Sequence, residues 1–252
     1  MNQLQGKYQV EPALEGQADR ISDSLIEDIV SWDVVNWSRA IEYWSGHLEK
    51  WERDLGRPLK CLEIGARNGG LSLWLSLRGH EVLCTDVEDP KDKASLLHLK
   101  YPQSKGITYR AVDATNMSFV EEFDLIIFKS VLGGINFKEN LGSQREVMEG
   151  VYRALKPKGI VLFAENARSF YLLYLARRYL TAWGHRWKYF RESELRELFS
   201  SFSKIQVETT GFLAAFGFKE SLRVVLGKMD QRLFQNTTPR SWKYIQYGVA
   251  EK

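Results

Sequence analysis

Residues 62–72 read Leu62-Glu63-Ile64-Gly65-Ala66-Arg67-Asn68-Gly69-Gly70-Leu71-Ser72, an acid-x-Gly-x-x-x-Gly turn. An apolar run from Leu59 to Ile64 precedes it, and a helix-like stretch from Leu71 to Leu77 follows. Strand, glycine turn, helix is the place where open α/β sheets bind nucleotides. Arg67 narrows that reading. A dinucleotide fingerprint needs glycine there, so that the backbone can approach a pyrophosphate. A long cationic side chain in its place argues against a nicotinamide oxidoreductase and leaves room for a cofactor without phosphates.

Outward from this turn the pattern alternates. Glu81 to Asp86 and Ile107 to Asp113 read as strands two and three, with a helix from Pro90 to Lys100 between them. Phe123 to Ser130 is a strand apolar enough to be buried on both faces. Leu141 to Leu155 is predicted as a helix ended by Lys156-Pro157-Lys158-Gly159, and Ile160 to Glu165 as strand five. Alternation of this kind implies a mainly parallel sheet. Before it, Ile21, Leu25 and Ile29 fall at helical spacing. A second helix is expected from Asn36 as N-cap, with Trp37, Ile41, Trp44, Leu48 and Trp51 on one face. Both helices are expected to pack on or over the open edge of the first strand. Beyond strand five, Glu192 to Ser200 reads as a helix, and Lys204 to Thr209 and Ser241 to Ala250 as strands.

The chain has 252 residues, 44% of them hydrophobic, which suits one large α/β domain or a domain with a cap. A net charge of +3 gives no general case for nucleic acid. No basic run leads into an apolar stretch near the N-terminus, which argues against a secretory leader. No apolar stretch is long enough to span a bilayer. Cys61 and Cys84 form no metal motif and read as small buried hydrophobes of a reduced cytoplasm, on neighbouring strands and about 5 Å apart. No metal site is expected.

In that order and spacing, four elements resemble the class I S-adenosylmethionine-dependent methyltransferases: Glu63-Ile64-Gly65, Asp86 closing strand two, Asp113-Ala114 closing strand three, and Phe123 to Ile127. The Ala154 to Gly159 turn fits as well. The resemblance covers about residues 35–165. It implies a Rossmann-like α/β fold with a seven-stranded, mainly parallel sheet and helices on both faces, an N-terminal helical element (1–56), a methyltransferase domain (57–252), and a helical substrate cap after strand five (167–201). It implies S-adenosylmethionine as cofactor. Asp86 would hold the ribose, Val87 would lie against the adenine, and Asp113 and Ala114 would meet the adenine amino group and ring. Gly65, Ala66 and Gly69 would let the backbone approach. Glu63 would orient the turn or face the methionyl ammonium, or else serve as a structural acceptor for turn amides. Lys129, with Ser130, Val131 and Leu132, would line the cleft near the reacting methyl group, or Lys129 is a solvated lysine.

Methyl transfer is an in-line displacement in which positioning carries much of the rate, and an alcohol acceptor must also lose its proton. His185 and Glu165 are the candidate bases; His47, His80 and His98 occupy ordinary helix or strand-entry positions. Residues 167–191 contain no acid but carry Arg168, Arg177, Arg178, Arg186, Lys188 and Arg191, interleaved with aromatics such as Tyr174, Trp183, Trp187 and Tyr189. Three readings stand: a cap that stacks on sugars and pairs with anionic groups, a face resting on an anionic membrane, or core aromatics with solvated arginines. Trp187 to Phe190, followed by Glu194-Leu195 and Leu198-Phe199, is similar to methyltransferases found with bacterial surface-polysaccharide enzymes. The expectation is O-methylation of a saccharide or small molecule in the cytoplasm, including at the inner face of the membrane, with peripheral membrane contact and no nucleic-acid partner. The alternatives are a lipid-like or aromatic acceptor and a non-catalytic cofactor-binding protein.

Overall fold

The computed structural model describes residues 22–136, 141–181, 184–217 and 219–252. Residues 1–17, Ile21 and Trp183, read above as an irregular stretch, a helix position and a cap aromatic, lie outside them. The elements run α1 (Asp23–Val30), α2 (Val34–Leu55), β1 (Lys60–Ile64), α3 (Gly70–Leu77), β2 (Glu81–Asp86), α4 (Lys91–His98), β3 (Ile107–Ala111), β4 (Phe123–Lys129), α5 (Gly142–Ala154), β5 (Leu155–Asn166), α6 (Tyr171–Leu180), α7 (Glu192–Leu198), β6 (Lys204–Thr210), α8 (Glu220–Met229) and β7 (Ile245–Glu251). The seven strands lie in the order β3-β2-β1-β4-β5-β7-β6, parallel except for β7, which is antiparallel to both β5 and β6. The order reverses between β1 and β4, and ligands of open sheets collect beyond the carboxyl ends of the strands at such a switch.

The two faces of the sheet are filled differently. Trp37, Trp44 and Leu48 of α2 lie against Leu125, Ile127 and Leu162 on one side. Phe128, Phe163, Val151 and Phe199 fill the other. The N-terminal helices therefore do not sit over an open edge of β1, which is paired on both sides, with β2 and β4. The edges are β3 and β6, whereas α2 crosses the sheet near β7, where Trp44 Nε1 donates to the Gly248 carbonyl at 3.0 Å. Fully buried indoles need a deep apolar surface and a partner for their N–H, and an edge offers neither. Asn36 is not the cap of α2. Asp33 holds that place, in a left-handed conformation, and Asn36 is buried in the first turn with its amide donating to Asp33 at 3.0 Å.

Two other expectations need correction. Cys61 and Cys84 do lie on adjacent strands, but the register pairs Cys61 with Val82 and Glu63 with Cys84. The thiols are thus offset diagonally, not opposed at 5 Å. In the sequence each precedes an acid by two, but the acids close their strands two rungs apart. Also, α5 stops at Ala154 and β5 begins at once with Leu155, earlier than expected. Pro157 disfavours a helical conformation at Lys156, so the chain goes extended there and pairs with Phe123 before a register shift.

At the amino end of the sheet, Asp124 ties three segments together. Its carboxylate accepts from Arg57 (2.7 and 3.0 Å), from the Lys60 amide (2.8 Å) and from Lys156 (3.0 Å). Burial alone would raise its pKa, but these donors outweigh it and bring the value from 3.8 to about 2. A carboxylate whose folded pKa is depressed stabilises the fold above its unfolded pKa, and that stability is lost as pH falls through the folded value. The melting temperature of the wild type is therefore expected to drop between about pH 4 and pH 2 more steeply than that of Asp124→Asn. Melting curves across this range check it, and equal slopes would refute it.

At the other end, α1 rests directly on the start of α3. A Cβ on Gly70 would lie 2.1 Å from the Ile29 carbonyl oxygen. Alanine in place of a helical glycine normally gains about 0.5–1 kcal/mol, but here the clash decides the sign. Gly70→Ala is expected to lower the melting temperature and to expose α1 to proteolysis; an unchanged or raised value would contradict this packing.

Candidate functional site

The turn between β1 and α3 is held by a buried acid. Glu63 faces α3, and its Oε2 accepts from the Ser72 amide at 2.8 Å and from the Ser72 hydroxyl. Burial pushes its pKa up to about 7 against these donors. The carboxylate thus serves as an acceptor for the helix start. Gly65 turns at φ +65°, and a Cβ there would lie 2.6 Å from a Val131 methyl group, so the segment after β4 lies close over the turn. Ala66 donates its amide to the Thr85 carbonyl at 2.8 Å, locking the turn to β2. Gly69, at φ +74°, leads into α3.

Asp86 closes β2 beside this turn. One carboxylate oxygen accepts from the Arg67 amide and the other from the Val87 amide, both at 2.8 Å. Each bond uses one of the acceptor positions of a carboxylate, so Asp86 is fixed in orientation and keeps capacity for two neighbouring hydroxyls. Val87 next to it is 70% exposed, an uncovered apolar side chain at the rim. Asp113 is exposed, and its Oδ1 accepts from the Thr115 amide (2.9 Å) and hydroxyl (2.7 Å), which lowers its pKa. It caps the short turn that begins at Ala114, itself half-buried. Asp86 ends β2 and Val87 follows it, while β3 stops at Ala111, earlier than expected, so that Asp113 and Ala114 follow the end of the neighbouring strand.

Lys129 ends β4 and is not a solvated lysine. Its Nζ is buried and, among the described residues, meets no hydrogen-bond acceptor. It lies 3.4 Å from the Trp32 ring centroid and 4.8 Å from that of Trp37. Burial first, and the nearby Arg67 charge second, bring its pKa down to about 7.

The two base candidates are placed very differently. Glu165 is fully buried, and its Oε1 accepts from the Val131 (2.7 Å) and Leu132 (2.8 Å) amides, so it braces the turn after β4; burial raises its pKa to about 7. His185 is exposed on a single 3-10 turn, Gly184–Arg186. The other histidines are structural: His80 meets Glu52 at 2.9 Å, and His98 bridges the Tyr109 hydroxyl (2.7 Å) and the Gly69 carbonyl (2.9 Å). His47 bonds Gln206 at 2.9 Å.

The basic-aromatic segment divides. Arg177 is buried and bonds Asn166 (2.6 Å) and the Ala167 and Tyr244 carbonyls, while its guanidinium lies over Tyr189 and Tyr244. Tyr189 and Phe190 are buried as well. These residues follow the core reading. Tyr171, Leu172, Tyr179 and Leu180 are exposed. Lys188 is half-buried, 3.4 Å from Glu194, and its amide donates to Gly133 in the turn after β4.

Sequence reading missed the polar cluster beneath the cleft. The Tyr244 hydroxyl donates to Asp33 at 2.5 Å, and Asn36 donates to the same acid and to Tyr244. It also missed Trp32, which stands over both Lys129 and Arg67. An Asp-x-x-Asn pair opening a helix next to a tryptophan was the available signal. Among the described residues no helix is long and apolar enough to cross a membrane.

Residues 62–163, from β1 into β5, match the family model described as a methyltransferase domain. That match covers less than half of the chain. A Bacillus subtilis protein named as a methyltransferase, YqeM, is 27% identical over 116 residues, which is 45% of this chain and 45% of that protein. The chain thus spans under half the length of this curated relative. Among solved structures, an S-adenosylmethionine-dependent methyltransferase of Methanosarcina mazei superposes with a TM-score of 0.52 at 17% identity, over 77% of this chain and 92% of that one. A phosphoethanolamine N-methyltransferase of Haemonchus contortus, in complex with phosphomonomethylethanolamine and S-adenosylhomocysteine, gives 0.55 at 18% identity, over 83% and 52%. At these identities the likeness is one of fold.

The Glu63 geometry has a consequence for stability. Glu63→Ala leaves both Ser72 donors buried without an acceptor, which costs about 1–3 kcal/mol. Glu63→Gln keeps an oxygen there and is expected to cost less. Urea unfolding of both variants checks the order, and equal losses would refute it.

Proposed function

We propose that the chain transfers a methyl group from S-adenosylmethionine to a small-molecule acceptor. The observation that carries this is the Asp86 carboxylate, fixed by two backbone amides at the mouth of the glycine turn with acceptor capacity left for a ribose. Gly65, Ala66 and Gly69 provide the backbone surface, Val87 and Ala114 the apolar rim, and Asp113 a further carboxylate beside it. Glu63 supports this site from behind by holding the start of α3. When bound, the cofactor supplies a methyl group already activated on a sulfonium. The protein's own work is to orient the acceptor, keep water away and accept a proton where the acceptor needs one.

The acceptor reading is a saccharide or related small molecule, methylated on oxygen. It is supported by the exposed tyrosines of α6, by the basic character of residues 167–191, and by the likeness of Trp187 to Phe190 to methyltransferases of polysaccharide assembly. The proposed division is a helical element over 1–56, a methyltransferase domain over 57–252, and 167–201 as its acceptor-facing cap. His185, on the exposed turn of that cap, is the base of this reading, and Glu165 the internal alternative. The same exposed apolar and basic side chains suit contact with the inner face of a membrane.

Asp86→Ala is expected to weaken binding of S-adenosylhomocysteine by about 1–3 kcal/mol, from charge-assisted hydrogen bonds left unmade, with little change in melting temperature. Calorimetry reads the affinity, and unchanged binding by a folded variant would refute the ribose role. Turnover is tested by release of S-adenosylhomocysteine against a panel of saccharide, lipid and aromatic acceptors. Cofactor binding without product from any of them would favour a binding protein of the same fold.

A further inference from the structure

Trp32 occupies the short turn between α1 and α2, and two cations converge on its ring. The Lys129 ammonium is 3.4 Å from its centroid and the Arg67 guanidinium 5.0 Å. Trp37 closes around Lys129 from a second direction. Like charges gathered on one indole repel each other, and a buried ammonium with three donors and no acceptor is costly. Glu63, Asp33 and Glu165 offset that cost only in part, because none of them accepts a hydrogen bond from the ammonium. Glu63 Oε2 is taken by Ser72, Asp33 by Tyr244 and Asn36, and Glu165 Oε1 by the amides after β4, while Glu165 Oε2 has no hydrogen-bond partner among the described residues. The backbone around the group is also strained. Ser31 (φ +69°) and Asp33 (φ +47°) flank Trp32, Arg67 stands at φ +53°, and Ser130, next to Lys129, at φ +55°. Non-glycine residues hold such conformations only where their surroundings impose them, and they cluster at ligand clamps.

We propose that Lys129 and Arg67, aligned by the Trp32 ring, form a receptor for one oxyanion at the carboxyl end of β4. The inference rests on the cofactor reading for its location. The oxyanion has two sources, the amino-acid carboxylate of the cofactor and a carboxylate or phosphate on the acceptor. In either case it supplies the acceptor that Lys129 lacks and offsets the repulsion between the two cations. A lysine kept for ligand and not for the fold has a recognisable signature: replacing it by an apolar side chain of similar length leaves the free protein as stable or makes it more so.

The test uses the full chain and the variants Lys129→Met and Arg67→Gln. Melting temperatures are measured without ligand. Affinities are measured by calorimetry for S-adenosylhomocysteine, for 5′-methylthioadenosine (which lacks the amino-acid group), for acetate and for inorganic phosphate. Lys129→Met is expected to melt at or above the wild type and to bind methylthioadenosine normally. A loss of about tenfold or more for S-adenosylhomocysteine alone then assigns the oxyanion to the cofactor. Unchanged S-adenosylhomocysteine binding with lost acetate or phosphate binding assigns it to the acceptor. A lower melting temperature with all four affinities unchanged overturns the inference, as does an equal loss for both nucleosides. Should Lys129→Met fail to fold, the exposed Arg67→Gln decides by the same affinities. If the wild type binds neither nucleoside, the cofactor reading fails by itself, and the acetate and phosphate titrations decide this one alone.

Discussion

The turn from Gly65 to Gly70 is squeezed from two directions, and the rest of the cleft is arranged around that lack of room. Val131, arriving from β4, presses on Gly65, and the Ile29 carbonyl, arriving from α1, presses on Gly70. Both contacts require the absence of a side chain. They bring the end of β4 and the turn after α1 to the same place, the switch point of the sheet. Glu63 supports the arrangement from below by holding the start of α3. A short stretch of glycine-rich backbone thereby sets the position of Lys129, Trp32 and Asp86 together.

The parallel half of the fold was legible in the sequence because its signals are local. A strand buried on both faces must read as an apolar run, and Phe123 to Phe128 does. Glycine and acid at fixed offsets announce a strand end, and Glu63, Asp86 and Asp113 all stand at one. What the sequence did not disclose depends on long-range pairing. Nothing near Trp44 indicates that its donor will find Gly248, so the sequence points to the open edge of the first strand whereas the folded chain seats α2 across β7. Nothing near Cys61 and Cys84 states the register of their strands.

Site residues show the same division. Asp86 was legible because its role follows from where a strand stops. Glu165 also closes its strand, but its burial behind the turn after β4 depends on Val131 and Leu132, which reach it from another crossover. Arg177 sits among five other basic residues of the 167–191 segment, and only the folded chain shows that it is turned inward, to the carbonyls near Tyr244. Composition told these residues apart from the rest of the chain but not from one another.

The antiparallel strand β7 has a consequence for how the molecule is made. It lies between β5 and β6, so β6 has no partner until residues 245–251 have left the ribosome. The Trp44 donor of α2 waits for an acceptor 204 positions downstream. Contacts of such separation are closed late, after the entropy of a long loop has been given up. Until β7 emerges the nascent chain therefore carries α2 with the Trp44 donor unpaired, beside a sheet in which β5 and β6 lack the strand between them. Strand β7 supplies that donor with its acceptor, and it joins β6 to β5 in the same step.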